Sequence, residues 1–196
     1  MNARWLRRTC VLAGLFSSAF AAIACLEPRP RLLWNASPSA PVGLYLVDDF
    51  VLPRRGDLVV LTPKAAIARL IEERGYLPTG VPLLKHIAAL PGQSVCRRGA
   101  KVTVDGKTMS VARPHDRMGR TMPVWQGCRC VGADELFLLN PAADSLDGRY
   151  FGPVASSSIV GIARPLLTRS RPGAPLRWLP EREFNHATTR NEEHLP

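Results

Sequence analysis

Hydrophobic residues in this chain fall into many short clusters cut by proline, glycine and charge, after one long uncharged run at residues 10–26. The clusters at 58–61, 135–139 and 158–163 are rich in branched or aromatic side chains and bounded by turn residues, the pattern of strands. The stretch 36–47 holds Pro38, Pro41 and Gly43. It reads as an irregular loop leading into another strand, because proline and glycine keep the loop out of a regular ladder. Thr62 and Pro63 read as an N-cap and first helical position, and residues 65–74 carry helical spacing that Gly75 ends. Residues 82–90 are ambiguous by composition, but the Pro91-Gly92 turn and the 93–96 segment beyond it favour two successive strands. Val102-Thr103-Val104 and Met109-Ser110-Val111 flank Asp105-Gly106-Lys107, a hairpin signal. Together these elements predict a mostly β domain at 31–169 with one modest helix and a small β insertion at about 97–130. Residues 170–196, rich in arginine, proline and glutamate, read as a loose tail.

The 10–26 run has 17 residues, the short limit for a membrane span. Arg4, Arg7 and Arg8 precede it and Glu27-Pro28-Arg29-Pro30 follows. A basic flank, an apolar stretch and a polar stop form the pattern of a signal anchor or a signal peptide. The expected organisation is a basic cytoplasmic segment at 1–9 and a transmembrane signal anchor at 10–26. The remainder would then face the periplasm from a bacterial inner membrane, as a single-pass protein in contact with inner-membrane lipid. Ala22-Ile23-Ala24-Cys25 carries small residues at the spacing a signal peptidase accepts, so export after cleavage near Ala24 is an alternative. A buried helix of a soluble protein is a third.

Apolar residues make up 46% of the 196, enough to bury a core, and the formal net charge is +10. Such charge fits either nucleic acid or anionic lipid headgroups. It is not organised into a recognition helix or an aromatic platform, which together with export argues against nucleic acid. Cys10 and Cys25 lie in or at the apolar run, leaving Cys96, Cys128 and Cys130. Export favours one disulfide, with Cys96 closing the insertion through Cys128 or Cys130. A three-cysteine metal site competes poorly, since no fourth ligand is near and Cys-x-Cys is tight for zinc. No glycine-rich dinucleotide or phosphate loop is present, and no cofactor or metal is implied.

Lys85 stands among Leu83, Leu84, Ile87 and Leu90. On a strand it shares a face with Leu83 and Ile87, and burial there lowers an ammonium pKa toward that of a general base. A lysine at a sheet edge, snorkelling to water, is the plainer interpretation. A Ser-His-Asp triad has weak support. His186 and His194 fall in the tail, His115 in the polar insertion, and His86 points away from Lys85 on a strand.

Four blocks, read in order, resemble the type I signal peptidase superfamily, peptidase family S26, and more closely its conjugative-transfer branch, the TraF-type peptidases. Ser37-Pro38-Ser39-Ala40-Pro41-Val42-Gly43-Leu44-Tyr45 resembles the nucleophile block. Arg55-Gly56-Asp57-Leu58-Val59-Val60 resembles the strand block that follows, and Lys85-His86-Ile87-Ala88-Ala89-Leu90-Pro91-Gly92 the block opening with the general base. Asp144-Ser145-Leu146-Asp147-Gly148-Arg149-Tyr150-Phe151-Gly152 resembles the last block. The resemblance departs at Ala40, where the family often has methionine, and at Gly148, where Asp-Ser-Arg is usual.

The resemblance implies a signal-peptidase-like β fold behind an N-terminal transmembrane helix, and a serine endopeptidase with a Ser39/Lys85 dyad. Ser39 N–H and the Ser37 hydroxyl would hold the oxyanion, Ser145 would aim the lysine, and Asp147 with Arg149 would tie the site together. It further implies small side chains at the first and third substrate positions before the cut. The substrate would be an exported precursor, most closely the pilin precursor of a conjugative type IV secretion system. Mating-pair components would then be partners, and the trimmed pilin a candidate for cyclisation. A general signal peptidase and a non-catalytic, membrane-tethered component of a secretion apparatus are the alternatives.

Overall fold

The short apolar clusters pair as antiparallel strands, and the resulting register determines which side chains meet the core. The computed structural model describes residues 3–26, 31–50, 52–169, 171 and 173–178. The chain divides into two compact units, Met1–Pro30 and Arg31–Pro196.

In the second unit the strands are β1 (Leu32–Asn35), β2 (Gly43–Asp48), β3 (Leu58–Leu61), β4 (Leu83–Ala89), β5 (Ser94–Arg98), β6 (Lys101–Val104) and β7 (Lys107–Val111). They continue as β8 (Gly127–Cys130), β9 (Glu135–Leu139), β10 (Val154–Ala155), β11 (Ile159–Thr168) and β12 (Arg177–Trp178). A large sheet runs β1-β2-β11-β3-β4-β9-β10, with β12 on β11, and a four-stranded sheet runs β7-β6-β5-β8. The ambiguous 82–90 segment is thus a central strand, between β3 and β9. The last predicted strand continues to Thr168, and the insertion is the second sheet. Of the tail expected at 170–196, residues 170, 172 and 179–196 lie outside the described residues, while Arg177–Trp178 pairs with β11.

Two faces of the large sheet are filled. Leu83 and Ile87 pack with Val59, Leu61, Leu136 and Leu138 on one side, under Ile71. Leu84 packs with Tyr45, Val47, Leu58 and Val60 on the other. This is the period-2 alternation of a strand buried on both faces. A third cluster joins the two sheets: Val95, Val102 and Val104 pack with Ala88, Ala89, Phe137 and Leu139. Ile71 belongs to the helix Ala65–Glu73, which begins two residues later than Thr62-Pro63 predicts. Thr62 N–H is committed to the Ser158 carbonyl at 2.9 Å, extending the ladder beyond β3, and the N-cap falls to Lys64 in extended conformation. We call this helix α2, after α1 (Ala3–Leu26) of the first unit.

Helix α1 corrects the transmembrane expectation. Among the described residues no helix is long and apolar enough to cross a membrane. This overturns both the transmembrane helix at 10–26 and the single-pass inner-membrane topology with a periplasmic catalytic domain. The helix has 24 residues, but Arg4, Arg7 and Arg8 occupy its first turns. Seventeen residues at about 1.5 Å each reach roughly 25 Å, short of a hydrocarbon core of about 30 Å. Thr9 and Ser18 also turn their hydroxyls back to the Trp5 and Gly14 carbonyls.

Candidate active site

The loop between β1 and β2 carries Ser37 and Ser39, and the buried side chain of Asn35 holds most of it. Asn35 donates from Nδ2 to the carbonyls of Ser37 (2.9 Å), Ala40 (3.1 Å) and Pro41 (3.1 Å). Its Oδ1 accepts from Ser37 N–H at 3.0 Å. Two prolines make a regular ladder unavailable to this segment, so a side-chain amide takes over the pairing that strands would supply. Tyr45 adds a hydrogen bond from its hydroxyl to the Pro41 carbonyl at 2.5 Å. Where the loop enters β2, Gly43 has φ +152, and a Cβ there would lie 2.1 Å from the Leu167 carbonyl oxygen. Ser37 Oγ and Ser39 Oγ are 3.0 Å apart, and Ser39 N–H points at Ser37 Oγ at 3.4 Å.

Lys85 sits in the middle of β4, 3% exposed, paired with Val59 of β3. Its Nζ donates to Ser145 Oγ at 2.8 Å. Desolvation lowers its pKa from 10.5 to about 8; the nearby Asp147 charge works against this shift and the Arg149 charge with it. A substantial fraction of the amine is therefore neutral near physiological pH, as a general base requires.

Asp147 and Arg149 lie behind this pair, both fully buried. Arg149 forks onto the carboxylate, Nε to Oδ1 at 2.8 Å and Nη2 to Oδ2 at 2.9 Å, and also donates to the carbonyls of Ala143 and Asn140. Asp147 caps the short helix α3 (Gly148–Phe151) by accepting from Arg149 N–H. The departure at Gly148 has a steric cause. A Cβ there would meet the Leu138 carbonyl at 2.6 Å and the Phe137 ring at 2.7 Å.

Asn140 is a positioning residue that sequence reasoning missed. β9 ends at Leu139, which pairs with His86. Beyond that end the Asn140 side chain stands in for the missing strand: Nδ2 donates to the Leu84 carbonyl at 2.9 Å, and Oδ1 accepts from His86 N–H at 3.2 Å. Its own backbone bonds Asp147 Oδ2 and Arg149 Nη2. The peptide groups on both sides of Lys85 are thereby fixed to the buried ion pair. Asn35 was missed likewise, because a lone asparagine carries no spacing signal. The one available clue was its place at the end of an apolar cluster, where a ladder needs a substitute partner.

The second sheet docks on the same block. Arg97 Nη1 donates to the Arg149 carbonyl at 2.5 Å, its guanidinium lies 5.9 Å from the Tyr150 ring centroid, and Trp125 Nε1 donates to the Gly148 carbonyl at 3.0 Å. Cys96 on β5 is bonded to Cys128 on the paired β8, and Cys130 is free.

Ser37, Ser39, Lys85 and Ser145 all line one cavity of about 590 Å³. Asp147 and Arg149 support it from behind. His86 is not on its wall; its Nδ1 bonds the Gly56 carbonyl at 3.0 Å, and burial holds its pKa below the ordinary value. His115 does line the cavity, from the insertion.

The family described as signal peptidase, peptidase S26, matches residues 2–167. A probable conjugal transfer protein TraF of Sinorhizobium fredii is 33% identical over 184 residues, covering 86% of this chain and 95% of that protein. The conjugal transfer protein TraF of Agrobacterium fabrum is 38% identical over 144 residues, 68% of this chain and 81% of its own length. Its counterpart from Agrobacterium tumefaciens is 37% identical over 166 residues, 80% and 92% respectively. From the extent of these matches, the chain belongs to the signal peptidase family, peptidase S26, in its TraF-type conjugative-transfer branch, and is a serine-type endopeptidase.

Proposed function

We propose that Ser39 and Lys85 form the catalytic dyad and that the substrate is a precursor polypeptide of a conjugative transfer system, most specifically its pilin precursor. The observation that carries this reading is a buried lysine, held by Ser145, on the wall of the cavity that Ser39 also lines. The relatives' names supply the conjugal context.

In this reading neutral Lys85 accepts the Ser39 hydroxyl proton as Oγ attacks the scissile carbonyl carbon. The carbonyl oxygen becomes an oxyanion that Ser39 N–H and the Ser37 hydroxyl stabilise, each donor contributing about 3 kcal/mol. The Ser39 N–H now directed at Ser37 Oγ turns to the substrate oxygen. Protonated Lys85 then gives its proton to the leaving amine, the C–N bond breaks, and an ester to Ser39 remains. Water, deprotonated by Lys85, resolves the ester to a linear product; attack by the substrate's own amine would close a ring instead.

Ser39→Ala and, separately, Lys85→Met are each expected to fold and to lose cleavage of a precursor peptide by at least about 1,000-fold. Cleavage at the unsubstituted rate by either variant would remove that residue from the dyad.

A further inference from the structure

The insertion sends residues 113–122 across to the end of α2, where they wall the dyad cavity. The segment is folded on itself by a bridge between His115 and Thr121 and by Asp116 N–H on the Arg120 carbonyl at 2.9 Å. It is fastened to the turn that follows α2 through Asp116, whose carboxylate accepts from the Tyr76 hydroxyl at 2.6 Å, and is braced within itself by Arg120 Nε on the same carboxylate at 2.7 Å. Arg74 Nη2 donates to the Thr121 carbonyl at 2.8 Å. A wall held this way is a fixed frame for whatever projects from it.

Four arginines line the cavity, Arg74, Arg113, Arg117 and Arg120, against two aspartates, Asp116 and Asp144. Arg74 and Arg120 are committed to the Asp116 network. Arg113 and Arg117 are exposed, and the one carboxylate left near them, Asp144, pairs with Arg117. Burial alone would raise the Asp144 pKa; the Arg117 hydrogen bond and charge, with a smaller contribution from Arg113, bring it below the ordinary carboxylate value. Two exposed guanidinium groups against one anion leave net positive charge on the lining of the cavity that Ser145 shares, in a cleft whose walls concentrate the field.

We propose that Arg113 and Arg117 form a carboxylate-binding subsite, which takes an acidic side chain or the terminal carboxylate of the polypeptide being cut. This rests on the endopeptidase reading of the cavity and adds to it a substrate class: chains with an anionic group close to the scissile bond. The planar fork of arginine matches a carboxylate with two hydrogen bonds, which a neutral amide cannot reproduce.

The test is binding to the full chain carrying Ser39→Ala, measured with fluorescent peptides with small residues at the first and third positions before the cut. Peptides come in pairs, Glu against Gln at each flanking position, and free C-terminal acid against amide. One acidic member is expected to bind about tenfold tighter than its neutral twin. The Glu pairs identify a side chain as the source, and the acid/amide pair identifies a chain end. Adding Arg113→Gln and Arg117→Gln should erase the difference while leaving the melting temperature in place. Arg113→Glu with Arg117→Glu should reverse the preference, so that a peptide with Lys in place of Glu at the selected position binds tighter than its Gln twin. Equal affinity within every pair, or a preference that survives both Gln substitutions, would overturn the subsite. If the acidic preference appears but the unsubstituted protein cuts none of the peptides, the subsite stands and the endopeptidase reading of the cavity fails.

Discussion

Burial sets the working range of the Lys85 amine. Its pKa of about 8 means that protonation removes the proposed base progressively as pH falls below that value. The kcat/KM for peptide cleavage is therefore expected to rise about tenfold per pH unit between pH 6 and 7.5, then level off above about 8.5. A flat profile over that range would exclude Lys85 as the base. Asn140 acts one step behind. Asn140→Ala leaves the Leu84 carbonyl and His86 N–H without partners in the interior, a loss of about 2–3 kcal/mol in chemical denaturation. It should also displace the midpoint of the pH profile, since the strand aiming Lys85 at Ser145 is released. An unmoved midpoint would make Asn140 a purely structural residue. At this scale the sequence was only partly legible. Lys85 announced itself through its apolar neighbours and Ser145 through its block. Asn35 and Asn140 serve backbone groups whose need for partners exists only once the loop and the strand end are built.

Secondary elements explain why the block 144–152 departs where it does. Helix α3 is pressed against β9 so closely that position 148 has no room for a side chain, and Trp125 of the insertion bonds the carbonyl of the same residue. Gly148→Ser, which restores the more usual residue, is accordingly expected to lower stability by about 1–3 kcal/mol through overpacking, read from the denaturation midpoint. A neutral result would mean that α3 shifts without cost. Period-2 alternation made the central strands legible, and the hairpin signal at Asp105-Gly106-Lys107 located β6 and β7. The helical spacing from Ala65 was legible but the cap of α2 was not, because Thr62 is drawn into a ladder with a residue distant in sequence. Nor did the anchor pattern at 10–26 survive. A hydropathy pattern registers the absence of charge within the run, whereas α1 extends outward to include three arginines.

For the second unit as a whole, the site is assembled by strand order. β4 lies between β3 and β9, so the end of β9 delivers Ser145, Asp147 and Arg149 to Lys85, while the β1–β2 loop brings Ser39 to the same cavity. Arg97 of β5 and Trp125, just before β8, brace this arrangement, and the disulfide joins β5 to β8. Resemblance in four blocks foresaw which residues would gather there. The burial that lowers the Lys85 ammonium pKa came from long-range strand pairing, which no local pattern encodes. The central claim, covalent catalysis by Ser39 with Lys85 as base, is tested most directly by trapping the acyl-enzyme. The unsubstituted protein is mixed with a precursor peptide, quenched in acid within the first turnover, digested and weighed by mass spectrometry. The account predicts the amino-terminal product esterified to the fragment that contains Ser39, and no such adduct in the Lys85→Met protein. An adduct on another residue, or full cleavage by Ser39→Ala protein, would contradict it.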